Sequence, residues 1–191
     1  MEEVDKKEII LNLGCGPLDI RPNCINIDIQ PFNKDIRKED VRNLPFQNNY
    51  ADYIVAQHIL EYIPRRDMIN TLKEWIRVLK PGHNMEIRVT DIGLLTKAMY
   101  LNQVSSEMGI YHEMVLALLY GAQICEYDTI YNGFTTEYLQ GIIVGIGCNT
   151  IGINYEGHDV IISLQKPLPL EVKEIIEEDS FVLPIVETTS E

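Results

Sequence analysis

Residues 13–17 read Leu-Gly-Cys-Gly-Pro, closing a short apolar run. A glycine turn after a strand lets backbone approach a ligand closely, and the proline stiffens its exit. Many strands end in such a turn for packing alone. The next apolar run, Asn26-Ile27-Asp28-Ile29, adds an acid. A carboxylate at that strand end, beside the turn, can accept both hydroxyls of a ribose, where ligands of open parallel sheets bind. Together the two signals point to a nucleoside, with Asp28 as its principal contact.

Spacing chooses between the nucleoside cofactors. A dinucleotide site wants Gly-x-Gly-x-x-Gly, a full helix facing the pyrophosphate, and an acid about twenty residues on. Here the third glycine is missing, and the short stretch between Pro17 and the next strand leaves room for one helical turn or less. A pyrophosphate would lose its helix dipole, whereas S-adenosylmethionine carries no phosphate and would not miss it.

The elements that must position these residues alternate strand and helix through the first half, the signature of a mainly parallel sheet. Strands are expected at 9–13, 24–29, 50–57 and 85–90. Between the last two, Met68, Leu72, Trp75, Ile76 and Leu79 recur at helical spacing, and Lys80-Pro81-Gly82 stops the helix. From Asp91 the pattern turns helical, broken at 103–109, with His112, Val115, Leu116, Leu119 and Tyr120 on one face of the second helix. A polar, aromatic loop follows, then a short helix capped by threonine. Two final strands, Thr-Ile-Gly-Ile-Asn-Tyr and Asp-Val-Ile-Ile-Ser-Leu-Gln, flank a Glu-Gly turn and form an antiparallel hairpin.

With 191 residues the chain fits one domain that can bury a core without staples. The expected organisation is a single domain over 1–166, with 92–134 as a helical insert and lid, and an acidic extension over 167–191. The net charge of −13 argues against nucleic acid, whose phosphates need Lys and Arg. Four scattered cysteines form no metal or disulfide pattern, so no metal is expected and a reducing cytoplasm is the simplest home. No apolar run reaches the roughly 20 residues of a membrane span.

Residues 9–90 resemble the class I S-adenosylmethionine-dependent methyltransferases, in particular the small "type 11" branch. The resemblance rests on Leu-Asn-Leu-Gly-Cys-Gly-Pro, on Asn-Ile-Asp-Ile, on residues 40–63 (DVRNLPFQNNYADYIVAQHILEYI) and on residues 72–87 (LKEWIRVLKPGHNMEI). It implies a Rossmann-like α/β sheet, mainly parallel with a C-terminal antiparallel hairpin and helices on both faces. It further implies that Gly14, Cys15 and Gly16 lie against the methionine part of S-adenosylmethionine. Asp28 takes the ribose, Ile29 packs on adenine, and Asp40 and Val41 meet the adenine edge. Gln57 and His58 face the sulfonium and methyl. Asn12 departs from the usual aspartate, Leu18 stands where a third glycine is common, and no room exists for a second helix between Ile29 and Asp40.

Methyl transfer is an in-line displacement, so alignment carries most of the acceleration. An oxygen or carbon acceptor can also need a base, for which His58, Asp91 and His112 are the candidates. Each has a plainer reading: His58 as a pocket wall or helix cap, His112 as a partly buried helix residue, Asp91 as a cap. Glu61 with Arg65 and Arg66 reads as a solvated helix start. The corner after the central strand, Gln57-His58-Ile59-Leu60, lacks the Asn/Asp-Pro-Pro-aromatic motif of nucleobase amino-methylation. The expected acceptor is a small molecule, a sugar or a lipid-linked intermediate; oligomeric state is not legible. The alternatives are a non-catalytic binding module on the same fold and a nucleotide-binding oxidoreductase.

Overall fold

The computed structural model describes residues 7–101 and 112–169. Seven strands form one sheet in the order β3-β2-β1-β4-β5-β7-β6. They are β1 (Ile10–Leu13), β2 (Ile25–Asp28), β3 (Ile36–Lys38), β4 (Ala51–Gln57), β5 (Leu79–Thr90), β6 (Asn149–Glu156) and β7 (Asp159–Gln165). Strands β1 to β5 pair in parallel, and β7 runs antiparallel to both β5 and β6. The hairpin turns at Gly157, whose φ is 64°. The order reverses at β1, placing a topological switch between β1 and β4, where open sheets bind ligands.

Register sorts the side chains into two faces, because neighbouring partners in a sheet point the same way. Leu11, Leu13, Ile27, Ile54, Ala56, Met85, Ile87, Val89, Val160, Ile162 and Leu164 share one face and one buried cluster. Into it pack α1 (Met68–Val78), through Met68, Leu72 and Trp75, and α4 (Thr136–Gly145), through Leu139, Ile142 and Ile143. The apolar stripe expected for α1 is this contact. Lys80-Pro81-Gly82 ends the helix differently from expectation: α1 stops at Val78 and β5 begins at once, with a register shift opposite Ala51/Tyr53. Gly82, at φ 76°, keeps its N–H on the Lys166 carbonyl at 2.8 Å.

The opposite face carries Asn26, Asn12, Val55, Glu86 and Ser163 in one row across the sheet. Right-handed crossovers put the β1–β2 and β2–β3 connections on this side, away from α1. Neither connection contains a helix, and β3 is three residues long. A loop cannot satisfy its own backbone as a helix does, and this explains the asparagines. Asn12, fully buried, donates to Asn26 Oδ1 at 2.9 Å, and Asn26 exchanges two hydrogen bonds with the Arg21 backbone. A polar peg thus fastens the 17–24 loop where helix packing would have stood. The helices of the expected two-sided arrangement are accordingly concentrated: α1 and α4 share one face.

After β5 come α2 (Ile92–Tyr100) and α3 (His112–Tyr120). Their buried residues Leu95 and Val115 stand outside the main cluster. The face predicted for α3 is only partly buried, since Leu116 and Tyr120 are exposed. The remainder of the predicted insert, 102–111, and the extension from 170 onward lie outside the described residues.

Candidate functional site

The glycine turn joins β1 to the loop by wrapping over the end of β2. Gly14 and Cys15 both donate N–H to the Ile27 carbonyl, at 2.8 and 3.2 Å, extending the β1–β2 ladder by one step. Gly16 then donates to Asp28 Oδ2 at 2.9 Å, and Gln30 N–H to Oδ1 at 2.8 Å. Both glycines have positive φ, 65° and 53°, a region that L side chains adopt at a cost. Their surroundings differ. A Cβ on Gly14 would stand 2.4 Å from Ile59, whereas one on Gly16 would meet nothing within 4 Å.

Of the three turn residues expected against a methionine moiety, then, Gly16 faces open space, Gly14 is covered by Ile59, and Cys15 is buried. Burial, with Asp28 nearby, pushes the Cys15 thiol up to about 11, so it stays protonated. Asp28 is nearly buried, and each of its oxygens has spent one acceptor position on backbone. A carboxylate has about four such positions. Two therefore remain, the number a ribose diol needs. An open glycine beside a half-used carboxylate fits S-adenosylmethionine.

On the adenine side, Ile29 is half-buried and Val41 is buried, its carbonyl accepting from Trp75 Nε1 at 2.9 Å. The Asp40 carboxylate is paired with Arg42, at 2.7 Å, and that hydrogen bonding holds its pKa below the usual carboxylate value. It would read an adenine edge only through acceptor positions that Arg42 leaves.

The other end of the crevice is made of side chains. Gln57 closes β4, and its amide lies 3.5 Å from Glu86. His58 follows with φ 49°, an uncommon conformation for a residue with a side chain. Its ring lies between two carboxylates, Nδ1 3.3 Å from Glu61 Oε1 and Nε2 3.2 Å from Asp159 Oδ2. Hydrogen bonds to Asp159 and Glu61 raise its pKa to about 9. At neutral pH His58 is an imidazolium with both N–H groups engaged, the opposite of what a general base requires.

Asp91 is a cap. Its Oδ1 accepts from the N–H of Gly93 and Leu94, and its Oδ2 from the N–H and hydroxyl of Thr136. Four donors saturate the carboxylate and tie the starts of α2 and α4 together, leaving nothing to take a substrate proton. Thr135 caps α4 as well, accepting from Tyr138 N–H. His112 opens α3, and its side chain lies outside the described part.

Glu61 corrects the sequence reading most sharply. Expected in a solvated helix start, it is 3% exposed and accepts the Thr90 N–H at 3.0 Å. Arg88 and Asp159 were not anticipated. The Arg88 guanidinium reaches Asp159 at 2.8 Å and Glu156 at 2.7 Å. The register Arg88↔Ile161 and Thr90↔Asp159 brings Arg88 and Asp159, 71 residues apart in sequence, together beside His58. The segment 121–132 touches both regions: Tyr131 and Asn132 N–H donate to the Glu61 carbonyl, and Cys125 lies 3.9 Å from the Gln30 amide.

Comparison with known proteins agrees with this fold. Residues 11–85 match the family described as "Methyltransferase domain". A SAM-dependent methyltransferase from Methanosarcina mazei superposes with a TM-score of 0.63 at 19% identity, over 87% of this chain and 95% of that one. A 1,6-didemethyltoxoflavin N1-methyltransferase from Burkholderia thailandensis, with S-adenosylhomocysteine bound, gives 0.57 at 11% identity over 84% and 71%. A SAM-dependent methyltransferase from Aquifex aeolicus gives 0.53 at 13% identity over 83% and 81%. No curated sequence matches the chain. Residues 11–85 thus match a methyltransferase-domain family, and the fold is the one seen in these SAM-dependent methyltransferase structures.

Proposed function

We propose that the protein transfers the methyl group of S-adenosylmethionine to a small-molecule, sugar or lipid-linked acceptor, in the cytoplasm. The observation that carries this reading is the pairing of open Gly16 with half-used Asp28 at the switch point of a 3-2-1-4-5-7-6 sheet. In this reading Gly16 and Asp28 hold the ribose and methionine parts, Ile29, Asp40 and Val41 frame the adenine, and Gln57 and His58 face the methyl. When bound, the cofactor supplies an activated methyl on a positively charged sulfur. The chain's own part is alignment: the glycine turn fixes one end, and the end of β4 sets the direction of attack. His58 acts as a charged wall that orients, since both its nitrogens are occupied.

The domain proper spans 1–166 in this proposal, with 92–134 as a lid over the crevice and 167–191 as an appended acidic extension. Contacts of 121–132 with Glu61 and Gln30 support the lid. Isothermal titration with S-adenosylhomocysteine tests the cofactor assignment: micromolar binding is expected, with NAD unable to compete. Proteolysis within 92–134 should slow on addition of the same ligand. Unchanged cleavage there removes the lid.

A further inference from the structure

The end of the crevice toward β5 and β7 has a charge imbalance that is confined to one atom. Three carboxylates, Glu61, Asp159 and Glu156, meet two cations, His58 and Arg88. Asp159 accepts from both His58 and Arg88, and Glu156 from Arg88. Glu61 shares His58 and takes the Thr90 N–H, all through Oε1. Its second oxygen, Oε2, is buried and has no hydrogen-bond partner. Burying an acceptor of a carboxylate without a donor is costly, so an unmatched one points to a donor supplied from outside the chain.

Position says which molecule supplies it. Gly16 and Asp28 lie at the β1 and β2 ends, while Glu61 is bonded to the last residue of β5 and, through His58, to the first of β7. In the proposed reading, where Gln57 and His58 face the methyl, Glu61 on the far side of His58 stands on the acceptor side. His58 and Arg88 are already engaged by carboxylates, so an anionic group would find neither of them free.

Building on the methyltransferase reading above, we propose that the acceptor bears a protonated amine or comparable cationic nitrogen, and that Glu61 Oε2 accepts its N–H.

The test uses three probes of one shape: tyramine, tyrosol and 4-hydroxyphenylacetate, which end in a cation, a neutral hydroxyl and an anion. Each is titrated into the full chain saturated with S-adenosylhomocysteine. Tyramine is expected to bind at least tenfold more tightly than the other two, and Glu61→Gln to abolish that preference while leaving S-adenosylhomocysteine affinity within twofold. Equal binding of the three, no binding of any, or preference for the acid overturns the proposal. Because the wild-type comparison needs no variant, misfolding of Glu61→Gln cannot hide the answer. If Glu61→Gln weakens S-adenosylmethionine but not S-adenosylhomocysteine, the carboxylate serves the sulfonium and the acceptor assignment falls. Failure of the wild type to bind S-adenosylhomocysteine at all would instead remove the methyltransferase reading on which this rests.

Discussion

The two ends of the crevice are built from different materials. At the β1–β2 end the working groups are backbone N–H donors and one carboxylate, all within residues 14–30. At the β4–β5–β7 end they are charged side chains drawn from residues 58, 61, 88, 156 and 159. A ligand end that is constant in chemistry can be met by fixed backbone. The end proposed to meet the acceptor is made of side chains, which substitution can change without disturbing the ladder. The same contrast runs through stability: the first end is an extension of the sheet, and the second is an ion cluster balanced against burial.

Substitutions can break this contrast or sharpen it. The largest effect is expected for Asp91→Ala, which strips four donors at two helix starts and should cost roughly 3 kcal/mol, read from the urea midpoint. If Asp91 acts on substrate instead, stability will hold and turnover alone will fall. Next comes Asp28→Ala, expected to weaken S-adenosylhomocysteine binding by about 10–100-fold, the worth of charge-assisted hydrogen bonds. A fall below threefold by calorimetry would place the nucleoside elsewhere. Asp159→Asn should cost about 1–2 kcal/mol, below the figure for a fully buried pair because water reaches the His58 ring. Its cofactor affinity should stay unchanged, separating the two ends. Gly16→Ala, strained at φ 53° but with space for the methyl group, should cost about 1 kcal/mol of stability and several-fold in cofactor affinity.

The smallest effect is the pH dependence. The His58 pKa rises from 6.5 to about 9 on folding, so folding binds a proton there. Its stabilising share is complete below pH 6.5 and is lost as pH climbs through about 9. The melting temperature of the wild type should therefore fall more between pH 7 and 9 than that of His58→Gln. Parallel curves would show that the ring is not held as an imidazolium.

The glycine turn and its acid were legible in the sequence because their parts are local. A turn of two glycines, a strand and an acid twelve residues after Gly16 leave few ways to fold, and hydrophobic period marked the strands. The hairpin and the α4 cap were legible for the same reason. Glu61 misled because its neighbours Arg65 and Arg66 are those of a solvated turn, and nothing nearby shows that β5 will offer its last N–H. Asp91 looked alike as a cap or a base until Thr136, 45 residues on, filled its second oxygen.

By itself the sequence determined the alternation of a mainly parallel sheet, the terminal hairpin, the glycine turn with its acid, and a net charge of −13. These are consequences of period, composition and near-neighbour chemistry, which survive without knowledge of what packs where. Only the tertiary structure decided the charge state of His58, the burial of Glu61 and the pairing of Arg88 with Asp159. Electrostatic energies depend on distance and burial, and both are set by register between strands far apart in the chain.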